Sequence, residues 1–134
     1  MWPFTERRSN KRYAVEWEAE VYCFPFGQAE YLEARVIEVA TKGARILLHR
    51  MHLRTYHLMV NNNPDELILV IHVPDGAIRS KIIIRWYNRP ENEQLFTVGV
   101  EFYDMPAGGQ DLLEAAISGL KSRKGMKSTW KSKR

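Results

Sequence analysis

Tyr13-Ala14-Val15-Glu16-Trp17-Glu18-Ala19-Glu20-Val21-Tyr22-Cys23 alternates residue by residue. Val15, Trp17, Ala19, Val21 and Cys23 fall on one side, and Glu16, Glu18 and Glu20 on the other. Successive side chains of a strand point to opposite faces. This period of two therefore predicts a half-buried strand with an acidic outer row. Reading outward, the pattern returns. Tyr31 to Val39 sets Leu32, Ala34 and Val36 against Glu33 and Arg35. Ala44 to Leu48, Leu67 to Val73, Lys81 to Tyr87 and Phe96 to Phe102 read as further strands. Turn signals separate them at Pro25 and Gly27, Thr41-Lys42-Gly43, Asn61 to Asp65, Pro74-Asp75-Gly76 and Asn88 to Asn92. Residues 49–66 carry no readable period apart from the Asn61 to Asp65 turn, and His49 to Arg54 fits a loop or a helical turn equally. Short strands at regular spacing predict a mainly β fold, a small antiparallel barrel of six or seven strands. The period then changes. Leu112, Leu113, Ala116, Ile117 and Leu120 mark one face of a C-terminal helix packed across the barrel.

A chain of 134 residues is one domain, long enough to bury a core without disulfides or metals. No apolar run approaches the roughly 18 residues of a membrane span, so no membrane insertion is expected. Arg7 and Arg8 come too early for a secretion signal. Cys23 is the only cysteine, which excludes an internal disulfide and a multi-cysteine zinc site and fits a reducing cytoplasm. Its place on the apolar side of the first strand predicts a core residue. His49 and His52 have the spacing of metal ligands but no carboxylate or cysteine nearby, so no metal is expected. No Ser-His-Asp set, phosphate-binding glycine loop or catalytic carboxylate pair is present in the pattern, and the chain does not read as an enzyme or as a cofactor protein.

The formal charge of +4 is unevenly spread. Residues 121–134 hold seven Lys/Arg and no acid, and residues 1–12 hold four Lys/Arg and the single acid Glu6. The body, 13–120, holds nine basic and fifteen acidic residues, a net of −6. The division is thus a basic arm (1–12), a barrel (13–105), a helix (106–120) and a basic tail (121–134) of Lys, Arg and Ser expected to be disordered. Trp2 and Phe4 precede the arm and either pack back onto the body or lie loose. Arg7-Arg8-Ser9-Asn10-Lys11-Arg12 concentrates guanidiniums, whose planar forks grip phosphate through paired, charge-assisted hydrogen bonds.

After the second strand the chain reads Glu38-Val39-Ala40-Thr41-Lys42-Gly43. Gly43 suggests a turn held at positive φ. Together with the arm, this resembles the PilZ domain, the bacterial receptor for cyclic di-GMP. That family carries R-x-x-x-R before the first strand and D/N-x-S-x-x-G between the second and third. Arg8 and Arg12 fill the first pattern, with Arg7 ahead of them; Glu38, Ala40 and Gly43 stand in the second. Val98-Gly99-Val100-Glu101-Phe102 resembles the closing G-V-x-F strand. The resemblance covers about residues 6–105 and implies a split-barrel fold with cyclic di-GMP held by Arg7, Arg8, Arg12, Glu38, Ala40 and Gly43. Two positions depart from it. Glu38 carries its carboxylate one methylene further out, and Ala40 lacks a hydroxyl that in the family bonds the ligand, a loss of about 1.5–3 kcal/mol. Arg7 implies two intercalated ligand molecules.

The ligand chemistry suits these residue types. Cyclic di-GMP has two phosphates and two guanines, and guanine offers O6 and N7 as a paired edge to an arginine fork. Arginine planes stack on bases, and Glu38 has the chemistry to accept from guanine N1 and N2. The expected output is a change in the arm, read by a downstream protein the sequence does not name. Two other readings are a PilZ-fold adaptor that works by protein contacts alone, and a small barrel that binds nucleic acid through its basic ends. The acidic body and the missing aromatic stripe on a basic strand argue against nucleic acid.

Overall fold

The computed structural model describes residues 11–23, 30–53, 56–58 and 67–125. The expectations for Trp2, Phe4, Arg7 and Arg8, for the turns at Pro25 and Asn61, and for the tail from residue 126 lie outside them. Among the described residues there are eight strands and one helix. These are β1 (Tyr13–Cys23), β2 (Glu30–Ala40), β3 (Gly43–Leu48), β4 (His52–Leu53), β5 (Tyr56–His57), β6 (Leu67–Val73), β7 (Gly76–Asn88), β8 (Phe96–Asp104) and α1 (Ala107–Gly125). Six strands close an antiparallel barrel in the order β1-β2-β3-β8-β7-β6, and β4 and β5 form a separate hairpin. Closure removes free sheet edges, which suits a small all-antiparallel fold.

The barrel interior is filled by the inward residues of every strand. Val36, Ile46, Leu67, Leu69, Ile78 and Val98 are fully buried, and so is Cys23, a core thiol as expected. α1 packs on β7. It buries Leu113 and Ile117, with Leu112, Ala116 and Leu120 partly covered, so the helical face read from the sequence is the one that docks.

Several boundaries differ from the sequence reading. α1 starts at Ala107 and runs to Gly125, past the expected end at residue 120, because the Lys/Arg-rich turn after Leu120 still has good helix formers. β7 starts at Gly76 rather than Lys81, since Val73 pairs with Gly76 and the hairpin turns on Pro74-Asp75 alone. The unread segment after β3 holds the β4–β5 hairpin, closed by Leu58 N–H donating to Met51 O at 2.7 Å, with both side chains buried. Two-residue strands show no period. Gly43 also corrects the expectation. It opens β3 paired with Ala40, and it is not among the residues with positive φ; Asn92 (φ 70°), in the turn after β7, is.

Leu113 is 2% exposed where α1 meets the barrel. Leu113→Ala is expected to cost about 2–5 kcal/mol by transfer and cavity terms, whereas Ser118→Ala on the exposed side should stay within about 0.5 kcal/mol. Urea denaturation of the two variants checks this.

Candidate functional site

The outer face of the barrel carries one cross-strand row that runs over five strands. Ala14 pairs with Glu38, Glu38 with Arg45, Arg45 with Gly99, and Gly99 with Trp86. Three irregularities in register lie along this row, the first on β1, where Ala14 pairs with Glu38 but Trp17 with Val36. On β2, Val36 pairs with Ile46 but Glu38 with Arg45, so Ile37 is an extra residue relative to β3. On β7, Ile84 pairs with Val100 but Trp86 with Gly99, so Arg85 is extra relative to β8. A bulge of one residue reverses which face the following side chain meets. Glu38 and Trp86 would otherwise follow Val36 and Ile84 inward; the bulges place them outside.

Gly99 then acquires a specific reason. A Cβ on it would lie 2.3 Å from both Cε2 and Nε1 of Trp86. The indole lies against bare backbone, where only hydrogen fits. The Arg45 guanidinium sits over the same indole, 5.6 Å from the ring centroid. Arg45 also reaches Glu38, with Nη2 3.5 Å from Oε1, and Arg12 approaches the same oxygen at 3.9 Å. Arg12 immediately precedes β1, so the root of the basic arm meets the row here.

These side chains line a shallow hollow open to solvent, whose walls include Arg12, Glu38, Ala40, Gly43, Arg45 and Trp86. Four residues singled out from the sequence, Arg12, Glu38, Ala40 and Gly43, thus meet in one place. Ala40 lies in the wall at 2% exposure, opposite Gly43. Arg7 and Arg8 lie outside the described residues. Sequence reasoning missed Arg45 and Trp86. Their signal was present only as an exposed-type arginine in an apolar strand and as a glycine facing a tryptophan. Beside the hollow, Arg85 Nε donates to Glu101 Oε1 at 2.6 Å, so this cation is already engaged.

The arrangement presents two guanidiniums, one carboxylate and an aromatic face around one depression. Chemically it suits an anion attached to a flat ring. Phosphate is matched by the arginine forks and the ring by the indole.

No family model and no curated protein matches the sequence. Solved structures do match. The inhibitor of motility MotI/DgrA of Bacillus subtilis superposes with a TM-score of 0.60 at 16% identity, over 92% of this chain and 56% of that one. MrkH, described as a c-di-GMP-dependent transcription regulatory factor, gives 0.55 at 11% identity, over 83% of this chain and 49% of that one. The PilZ domain of YcgR from Escherichia coli, solved with c-di-GMP, gives 0.54 at 12% identity, over 92% and 98%. The chain spans about half the length of the first two and nearly all of the third. The fold is therefore that of a PilZ domain.

Gly99→Ala is expected to push the indole of Trp86 off the sheet. The added methyl has no room, and overpacking of this kind costs about 1–3 kcal/mol. The tryptophan band in near-ultraviolet circular dichroism should change, with the far-ultraviolet spectrum retained. An unchanged near-ultraviolet spectrum would show that the indole does not rest there.

Proposed function

We propose that the chain is a cytoplasmic bacterial receptor for cyclic di-GMP, holding the ligand between its N-terminal arginine arm and the outer face of the barrel. The observation that carries this reading is the meeting of Arg12, Arg45 and Trp86 around one hollow at the root of the arm. The PilZ fold supports it, as does the c-di-GMP named for two of the matching structures. In this reading Arg7, Arg8 and Arg12 grip phosphate and the guanine edges, and Trp86 with Arg45 offers a flat surface for a base. Ala40 and Gly43 form the rim, and Glu38 lies between the arginines. The arm folds down when the dianion neutralises it, and a downstream protein reads that change.

Two observations favour a second reading, a PilZ-fold adaptor that works without the ligand. Ala40 presents a methyl where the family pattern has a hydroxyl, and the carboxylate of Glu38 already has two cations beside it. Nucleic acid is disfavoured by the outer face of β1 and β2, where Glu16, Glu18 and Glu33 are exposed and repel phosphate.

Calorimetric titration with cyclic di-GMP decides between the first two. Arg8→Ala and Arg12→Ala should each lose more than about 1.5 kcal/mol of binding, and Trp86→Ala about 1–3 kcal/mol. Added salt should weaken binding to the wild type. Melting temperatures of the two arginine variants should barely move. No heat from the wild type at high micromolar ligand would leave the adaptor reading.

A further inference from the structure

The carboxylate of Glu38 sits between the two guanidiniums that the ligand would need. Nη1 of Arg12 is 3.9 Å from Oε1 of Glu38, and Nη2 of Arg45 is 3.5 Å from the same atom. Both geometries are loose. Direct charge-assisted bonds fall near 2.7–2.9 Å, and these side chains are about a third exposed, at 38% for Arg12, 35% for Arg45 and 28% for Glu38. Partly solvated pairs of this kind are weak and exchange readily.

We propose that Glu38 is an internal competitor for the ligand's phosphate. In the unliganded chain its carboxylate stands in for a phosphate oxygen, drawing Arg12 and Arg45 together. Binding exchanges that carboxylate for the phosphate of the ligand. The inference rests on the receptor reading above and sets how tightly that receptor binds.

Three features of the fold support the assignment. The bulge at Ile37 turns Glu38 outward into register with Arg45, so the pair is built into the sheet rather than left to chance. Tyr13 pairs with Val39, which fixes the position of Arg12 beside the same carboxylate. The charges also count. Among the described lining residues the charged groups are the guanidiniums of Arg12 and Arg45 and the carboxylate of Glu38, so Glu38 repels an incoming phosphate as well as occupying its partners. The extra methylene of glutamate over aspartate lengthens the reach toward Arg12, whose distance is at the limit of an ion pair.

This departs from the role expected from sequence, in which Glu38 accepts from guanine N1 and N2. The two roles predict opposite signs. Glu38→Gln keeps the shape and removes the charge. If Glu38 competes, the variant should bind cyclic di-GMP roughly threefold to tenfold tighter than the wild type. Glu38→Asp should fall in between, and the gain should shrink when Arg12→Ala is combined with Glu38→Gln. Binding by the Gln variant alone, with a silent wild type, would support Glu38 as the group that blocks the site while leaving the adaptor reading for the native chain. A wild type that binds while Glu38→Gln binds equally or more weakly would overturn the competitor role and leave the receptor reading standing. If neither the wild type nor any variant binds at high micromolar ligand, both fall together. Circular dichroism melts of each variant confirm that the barrel is intact, and Glu38→Asp carries the comparison should the Gln variant unfold.

Discussion

The site depends on two extra residues. A six-stranded barrel that alternated without interruption would send every second side chain inward, and its outside would have only the remainder to work with. Ile37 in β2 and Arg85 in β7 interrupt the alternation. Each reverses the facing of the residue after it, so a carboxylate and an indole arrive on the outer surface in one row with Arg45. Gly99 completes the row by leaving space for the ring. Removing either bulge would move a large side chain from the surface into a core that is already close-packed. The constraint therefore binds fold and site together.

The barrel was legible because burial follows the period. Val21, Val36, Ile46, Leu69, Ile82 and Val98 are inward and nearly free of solvent, as alternation requires. The helix was legible for the same reason at its own period, through Leu113 and Ile117. Features that have no period escaped. The β4–β5 hairpin is too short to show one, and it is held by a backbone bond between Met51 and Leu58 and by their burial. The start of β7 was hidden because Pro74-Asp75-Gly76 reads as a full loop, while the chain uses only its first two residues to turn. Gly43 shows the reverse error. A glycine in a turn pattern suggests left-handed backbone, yet here it is an ordinary strand residue paired with Ala40.

The site was half legible. Arg12, Glu38, Ala40 and Gly43 lie close together along two short stretches, and a family pattern names their spacing. Arg45 and Trp86 are far apart in sequence and meet only because β3, β8 and β7 are neighbours in the barrel. Strict alternation also points Trp86 to the core, with Ile82 and Ile84. Nothing short of the register reveals the bulge at Arg85. The one clue was Gly99, which breaks a run of apolar residues in β8 without any turn there. A glycine inside a strand often marks close approach by another group, and in this barrel the group is the indole.

The distribution of charge gives the face its direction. The body is acidic, and β1 and β2 set Glu20 directly across from Glu33. Like charges opposite one another destabilise a sheet. His72 on β6 answers one of them, its Nε2 2.8 Å from Oε1 of Glu20. That part of the barrel repels anions. Around the hollow the balance reverses, with Arg12 and Arg45 outnumbering Glu38. The surface field therefore disfavours anions along the acidic row and favours them at the hollow. Arg12, just before β1, lies at this cationic patch. The acidic row of β1, which first identified a strand, therefore also sets the hollow apart electrostatically from the face beside it.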